Sequence, residues 1–169
     1  TLLEPELDLK IKPNDGIYRV TGESLDITKI NLAEHDKTAV TEKIAGQNLY
    51  RFLEKCHQVA NADNPQPVMS KTKLIPCGHN VAFDIRHMKE KIISEGSFNS
   101  FVSYRCLDTC SIAQALRLIG KLPEEQECSL KSLGEFFNVK VSEGALHDAK
   151  YDTLLSVGVL QSLLDLMRG

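Results

Sequence analysis

The stretch from Lys73 to Glu90 reads KLIPCGHNVAFDIRHMKE, and its pattern decides the fold class of the chain. The apolar segment Lys73–Cys77 predicts a short strand that runs into Gly78. The residues after this corner predict a helix from Phe83 to Ser94. A strand followed closely by a helix is the repeating unit of α/β domains, and such domains bind ligands at the ends of their strands.

The rest of the chain alternates strands and helices in the same way. Strands are predicted at Leu7–Ile11, which ends in a turn at Lys12–Gly16, and at Phe101–Leu107. Helices are predicted at Gly46–Val59, Thr109–Ile119, Leu130–Phe137 and Asp148–Met167. Weaker patterns predict an irregular stretch with a possible short helix at Gly22–Asp36, a surface loop at Ala60–Ser70 and a short extended piece at Val139 and Val141. We expect one α/β domain over residues 1–169.

Periodic apolar residues predict which sides of the helices are buried. The inward set contains Ile112, Ala115, Leu116, Ile119, Leu133, Phe136, Phe137, Tyr151, Leu155, Val159, Leu160, Leu163 and Met167. Asp108 and Ser129 precede two of these helices and are expected to be their N-caps. For Asp108, which follows a strand, a position facing a functional site is the alternative.

Bulk composition restricts the class of protein. The chain has 169 residues, of which 42% are hydrophobic and 25% charged, as in one ordinary globular domain. No apolar run approaches the roughly 20 residues that span a bilayer, so no membrane partner is expected. The net charge of -3 argues against a protein that coats duplex DNA, but it allows an enzyme that binds only a strand end.

The five cysteines predict an intracellular protein. Their number is odd and no pair has the spacing CxxC, which argues against a disulfide framework or a structural zinc site. We therefore expect reduced thiols and a cytoplasmic location.

The first candidate site is GHNVAFD, Gly78–Asp84. Gly78 permits a close backbone approach, and Asn80 offers a donor and an acceptor to a sugar or phosphate. Phe83 offers a flat surface on which a base can stack, and Asp84 lies at the start of a helix that follows a strand. The alternative is that Asn80 and Asp84 cap the helix while Phe83 belongs to the core.

The second candidate site is HDAKYD, His147–Asp152. On one continuous helix, residues five apart are separated by about 140° and do not share a face. His147 and Asp152 can converge only if the histidine lies on the preceding loop and Asp152 lies one turn inside the helix, with Asp148 as N-cap. The alternative is an exposed loop histidine and an exposed helix aspartate.

Taken together, the two motifs resemble the DEDD superfamily of 3′–5′ exonucleases. The similarity is to the subgroup whose last motif is His followed five residues later by Asp, which includes the proofreading epsilon subunit of bacterial DNA polymerase III and the oligoribonucleases. HNVAFD (His79–Asp84) resembles the second motif of that family and HDAKYD the third. Leu107–Thr109 and SLKSLGEFFNV (Ser129–Val139) are also similar to the segments between those motifs.

The resemblance implies a ribonuclease H-like fold, which is a mixed sheet flanked by helices. It implies that Asp84 and Asp152 bind metal, that His147 is the general base, and that Asn80 and Phe83 position the terminal nucleotide. Two Mg²⁺ or Mn²⁺ ions would be the cofactors, and single-stranded DNA or RNA 3′ ends the substrates. The implied reaction releases nucleoside monophosphates, and a polymerase is a possible partner.

One motif of the family is missing from the chain. Its first motif is an Asp-x-Glu pair on the opening strand, and no such pair stands in a suitable place. Two divalent cations carry +4, whereas Asp84 and Asp152 supply only -2. Because the chain begins with Thr1, we expect the domain to be N-terminally incomplete, with the opening strands before Thr1. The alternatives are a catalytically inactive exonuclease-like interaction module and a single-metal phosphoesterase of another class.

Overall fold

In a computed structural model, the chain combines helices with short parallel strands. The structure describes residues 6–28, 30–62, 72–141 and 148–169. The strands in this part are β1 (Ile11–Lys12), β2 (Val40–Thr41), β3 (Cys77–Gly78) and β4 (Leu107–Asp108). The helices are α1 (Gly22–Thr28), α2 (Leu32–Thr38), α3 (Glu42–Ala60), α4 (Val81–Lys91), α5 (Glu95–Phe101), α6 (Thr109–Leu118), α7 (Leu130–Phe136) and α8 (Ala149–Arg168). The predicted α/β class is therefore confirmed.

Contacts divide the chain into two compact units. One consists of Thr1–Pro76 with Asp84–Arg105, and the other of Cys77–Phe83 with Cys106–Gly169. Each unit contains one parallel two-stranded sheet, β1 with β2 in the first and β3 with β4 in the second. The prediction of one domain stays a prediction.

The core of the first unit lies between α3, α4 and α5. Its buried side chains are Leu53, Ile93, Phe98 and Val102. Gly46 of α3 lies against the backbone that follows α4, since a Cβ on Gly46 would be 2.2 Å from the carbonyl oxygen of Ile92. The absence of a side chain at Gly46 is what allows this close approach.

The core of the second unit is formed by α6, α7 and α8. Its buried side chains are Ala113, Leu116, Leu122, Leu133, Val159 and Leu163. Helix α8 packs against both α6 and α7 and also against strand β3. The long terminal helix therefore holds the short parallel sheet of this unit against the helical core.

Three helix starts agree with the N-caps predicted from the sequence. Asp108 accepts hydrogen bonds at the start of α6, Ser129 at the start of α7 and Asp148 at the start of α8. Each cap satisfies backbone N–H groups that have no partner inside the helix. The predicted helix Gly46–Val59 is confirmed as part of α3, which begins earlier because Thr41 is its N-cap.

One prediction of local structure was wrong. Of the predicted strand Phe101–Leu107, only Leu107 lies in β4, because Phe101 is the last residue of α5, which Ser94 caps. Residues 22–36, where an irregular stretch with a possible short helix was expected, contain α1 and most of α2, and Asn31 caps α2. Residues 139–141 belong to no helix or strand, and the short extended piece at Val139 and Val141 stays a prediction.

Two strands are shorter than predicted. Only Ile11 of Leu7–Ile11 is in β1, and only Cys77 of Lys73–Cys77 is in β3, while Leu74 forms an isolated bridge to Val102. The turn after β1 is confirmed by the bond from the Gly16 amide to the Pro13 carbonyl. The predicted loop at Ala60–Ser70 lies, from residue 63 onward, outside the described residues.

Four predicted core residues are exposed instead. They are Ala115, Ile119, Phe136 and Met167. Helix α6 buries Ala113 and Leu116, so the buried stripe is shifted relative to the predicted one, and the helix ends before Ile119. No helix within the described ranges is both long and apolar enough to cross a membrane.

Candidate functional site

The first motif forms a tight corner where β3 passes into α4. A Cβ on Gly78 would lie 3.3 Å from the side chain of Val81, which is closer than such atoms normally approach. Val81 is buried at the start of α4. Glycine at position 78 therefore lets the helix begin immediately beside the end of the strand.

Asn80 turns the chain between the strand and the helix. Its φ of 57° lies in the left-handed region, which asparagine tolerates better than most residues. Its carbonyl accepts a hydrogen bond from the amide of Phe83 at 2.9 Å. The residue is exposed, and its predicted contact with a ligand stays a prediction.

Asp108 links this corner to the end of the neighbouring strand. Its Oδ1 accepts hydrogen bonds from the amides of Cys110 at 2.9 Å and Ser111 at 3.2 Å, and from that of Asn80 at 3.3 Å. One carboxylate oxygen thus caps α6 and ties it to the loop that follows β3. The predicted capping role of Asp108 is confirmed.

His79 and Thr109 form a pair that the sequence prediction missed. His79 Nδ1 lies 2.9 Å from Thr109 Oγ1, and Thr109 Oγ1 also donates to the carbonyl of Gly78 at 3.3 Å. Thr109 is fully buried and His79 half-buried. Burial lowers the pKa of His79, and the charge of Asp108 partly opposes this shift. A threonine that begins a helix carries no signal in sequence that it will meet a histidine 30 residues earlier.

Phe83 and Asp84 lie in the first turn of α4. Phe83 is 61% exposed, which contradicts the alternative that its ring belongs to the core and leaves it accessible for stacking. Much of Asp84 is exposed, yet neighbouring atoms partly desolvate its carboxyl group, and this raises its pKa. His87 acts against that shift. A carboxylate in the first turn also interacts favourably with the helix dipole.

Asp152 lies in the first turn of α8. Its side chain is half-buried, and its Oδ1 is fully buried with no hydrogen-bond partner among the residues that the structure describes. Buried carboxylate oxygens are nearly always paired, because removing them from water without a partner is costly. A cation or a hydrogen-bond donor is the kind of group that satisfies such an oxygen.

The boundary predicted for the second motif is confirmed. Asp148 caps α8, whose first residue is Ala149, so Asp152 lies one turn inside the helix. Its amide donates to the carbonyl of Asp148 at 2.9 Å. His147 itself lies outside the described residues.

The second unit brings together parts of both motifs. It contains His79, Asn80 and Phe83 from the first motif and Asp152 from the second, and α8 packs against β3. Asp84 belongs to the other unit. Within the described part of the chain, no group of three or more His, Cys, Asp or Glu side chains has an arrangement that could hold a metal ion.

Comparison of the chain with known protein families, with curated proteins and with solved structures found no match.

Proposed function

We propose that the chain is a metal-dependent 3′–5′ exonuclease that hydrolyses phosphodiester bonds at single-stranded DNA or RNA ends and releases nucleoside monophosphates. The observation that carries the proposal is Asp152 Oδ1. It is a buried carboxylate oxygen without a hydrogen-bond partner among the described residues, and it lies in the motif that the resemblance assigns to metal binding. A divalent cation would satisfy it.

The donor chemistry fits the proposed metal. Mg²⁺ and Mn²⁺ prefer hard oxygen ligands, and Asp152 and Asp84 are the carboxylates that the resemblance assigns to this role. When bound, such ions lower the pKa of water and stabilise the charge that develops on phosphate oxygens. The raised pKa of Asp84 is consistent with a carboxyl group that gains from a nearby cation.

Three further residues have proposed roles in catalysis and in substrate binding. His147 would accept a proton from the attacking water as general base. The exposed ring of Phe83 would stack on the terminal base, and the Asn80 amide would hydrogen-bond its sugar or phosphate. Phe83 and Asn80 would thus hold the terminal nucleotide in place, and His147 would move one proton.

We include a ribonuclease H-like fold in the proposal, and the strands and helices around the site support it. Parallel strands β3 and β4 end at Gly78 and Asp108, and helices follow both strands. In α/β proteins, ligands bind outside the carboxyl ends of such strands. Asn80 and Phe83 lie just beyond one of these ends.

The test is hydrolysis of 5′-labelled single-stranded DNA and RNA by the full-length protein, with Mg²⁺, Mn²⁺ or EDTA. The proposal predicts stepwise shortening from the 3′ end that EDTA abolishes and Asp152→Ala removes. Asp165→Ala is the matched control, because Asp165 lies on the same helix, is exposed and bonds to Arg168 at 3.0 Å. Full activity of Asp152→Ala would refute the assignment. Hydrolysis of a small phosphodiester but of no oligonucleotide would instead indicate a single-metal phosphoesterase.

A catalytically inactive exonuclease-like module that binds a partner such as a polymerase is the second candidate. The observation that favours it is the lack, among the described residues, of a group of three ligands for a metal ion. It predicts no shortening of any oligonucleotide with either metal, together with capture of a polymerase by the intact protein.

A further inference from the structure

The protons of the His79 and Thr109 pair can be assigned from its two contacts. The hydroxyl of Thr109 has one proton, and a carbonyl oxygen can only accept. Thr109 Oγ1 is placed to donate to Gly78 O at 3.3 Å, and with its proton used there it accepts at its other contact, 2.9 Å from His79 Nδ1. In this arrangement Nδ1 carries the proton, and Nε2 of the neutral ring has a free lone pair.

The position of this lone pair makes it available to a ligand. Nε2 has no hydrogen-bond partner among the described residues. In that part of the chain, the buried side-chain atom without a partner is Asp152 Oδ1 and not His79 Nε2. Nε2 is therefore accessible to solvent. The next residue, Asn80, is exposed, and so is Phe83 one turn later. An acceptor, an amide and a ring surface follow one another around this corner.

A fixed neutral acceptor attracts hydrogen-bond donors and disfavours phosphate oxygens, which are also acceptors. A nucleic-acid end offers two kinds of donor, the N–H groups of its base and the hydroxyl groups of its terminal sugar. The N–H groups differ from base to base, whereas the sugar hydroxyl is present whatever the terminal base. We infer that His79 Nε2 accepts a hydrogen bond from a sugar hydroxyl of the 3′-terminal nucleotide, and that Thr109 is the positioning residue that holds the imidazole in the required tautomer. The inference rests on the proposed exonuclease function.

Four oligonucleotides that differ only in their last sugar test the inference. The sugars are ribose, 2′-deoxyribose, 3′-deoxyribose and 2′,3′-dideoxyribose, and the measurement is kcat/KM for removal of the last nucleotide by the full-length protein. Wild type should lose about tenfold in kcat/KM when the recognised hydroxyl is deleted. Loss with 3′-deoxyribose and 2′,3′-dideoxyribose, but not with 2′-deoxyribose, identifies the 3′ hydroxyl. Loss with 2′-deoxyribose and 2′,3′-dideoxyribose, but not with 3′-deoxyribose, identifies the 2′ hydroxyl.

Variants of His79 separate recognition from a structural role. His79→Ala should process all four ends at equal rates, because the hydroxyl has no acceptor left to lose. His79→Gln, whose amide oxygen can replace Nε2 as acceptor, should restore part of the discrimination. A purely structural role would lower all four rates together and keep their ratios, and that result would overturn the inference. The ratios are taken within each variant, so they do not depend on the fraction of folded protein.

Variants of Thr109 test the tautomer. Thr109→Ser keeps the hydroxyl and should keep the discrimination, whereas Thr109→Val removes it and should weaken the discrimination. Equal discrimination by Thr109→Val and wild type would overturn the positioning role. If wild type hydrolyses all four ends at one rate, only the recognition by His79 fails. If it hydrolyses none of them, the proposed exonuclease function fails and the inference falls with it.

Discussion

His79 Nδ1 lies 2.9 Å from Thr109 Oγ1, which joins the loop after β3 to the first residue of α6. The two residues are 30 positions apart and meet because β3 and β4 pair in parallel, with Gly78 opposite Asp108. The contact orients the imidazole, which is half-buried. The chemistry of the first motif therefore depends on the neighbouring strand as well as on its own residues.

Burial of His79 predicts a pH dependence of stability. The pKa of His79 is lowered from 6.5 in the folded protein, so the unfolded chain binds the proton more tightly. The contribution of His79 to the free energy of unfolding is therefore complete above pH 6.5. It decreases as the pH falls from 6.5 to the lower pKa that His79 has in the folded protein. In urea unfolding at several pH values, the difference between wild type and His79→Gln should decrease across that window. Parallel curves for the two proteins would contradict the prediction.

Removal of the Asp108 carboxylate should destabilise the second unit. Asp108→Ala leaves three amide groups without their acceptor, those of Asn80, Cys110 and Ser111. The expected loss is about 1–2 kcal/mol in the free energy of unfolding, measured by urea denaturation. Asp148→Ala is the control, since the Asp148 side chain accepts from one amide of the described residues, that of Tyr151, and should cost less. An equal loss from both variants would show that the bond to Asn80 adds nothing.

The buried Oδ1 of Asp152, which has no hydrogen-bond partner in the described ranges, predicts a stability that depends on metal. Mg²⁺ or Mn²⁺ should raise the Tm of wild type, because a ligand that binds only the folded state stabilises it, and should not raise that of Asp152→Ala. Without metal, Asp152→Ala should be at least as stable as wild type, since it removes a buried acceptor that has no partner among the described residues. Asp165→Ala should respond to metal like wild type. Equal metal-induced shifts in Asp152→Ala and wild type would exclude Asp152 as a ligand.

Two glycines in helices of the first unit should respond in opposite ways to alanine. A Cβ at Gly46 would lie 2.2 Å from the Ile92 carbonyl, so Gly46→Ala must displace backbone. The expected loss is about 1–3 kcal/mol or more in the free energy of unfolding. A Cβ at Gly96 would meet no atom within 4 Å, and Gly96→Ala should gain up to about 1 kcal/mol from helix propensity. Thermal unfolding of both variants checks the contrast, and a stabilised Gly46→Ala would contradict the packing of α3.

The exposed ring of Phe83 should affect binding more than stability. Phe83→Ala is expected to change the free energy of unfolding by less than about 0.5 kcal/mol, as at other exposed sites. It should weaken binding of single-stranded oligonucleotides by roughly 1–3 kcal/mol, the value of one base stacked on an aromatic ring. Phe98→Ala, at a buried position, should instead destabilise the fold by about 3–5 kcal/mol. Unchanged affinity of Phe83→Ala, measured by fluorescence anisotropy, would remove Phe83 from the proposed site.

Helices could be predicted from the sequence where their signals are local. The side chains of Asp108, Ser129 and Asp148 accept hydrogen bonds from amides two or three residues later. Their capping can therefore be predicted from the local sequence. Helix α5 was missed because its sequence, EGSFNSF, is rich in residues that also suit strands and turns. It is helical because Phe98 is buried in the core of the first unit and Ser94 caps its start.

The candidate residues themselves were visible in the sequence, but their surroundings were not. The motifs HNVAFD and HDAKYD provide carboxylates, an imidazole and an aromatic ring whatever the fold, because the chemistry of a side chain belongs to the residue. Tertiary structure decided that Phe83 is exposed, that Asp152 Oδ1 is buried without a partner in the described part of the chain, and that His79 meets Thr109. Burial and long-range hydrogen bonds depend on which elements pack together, and no local pattern encodes that packing.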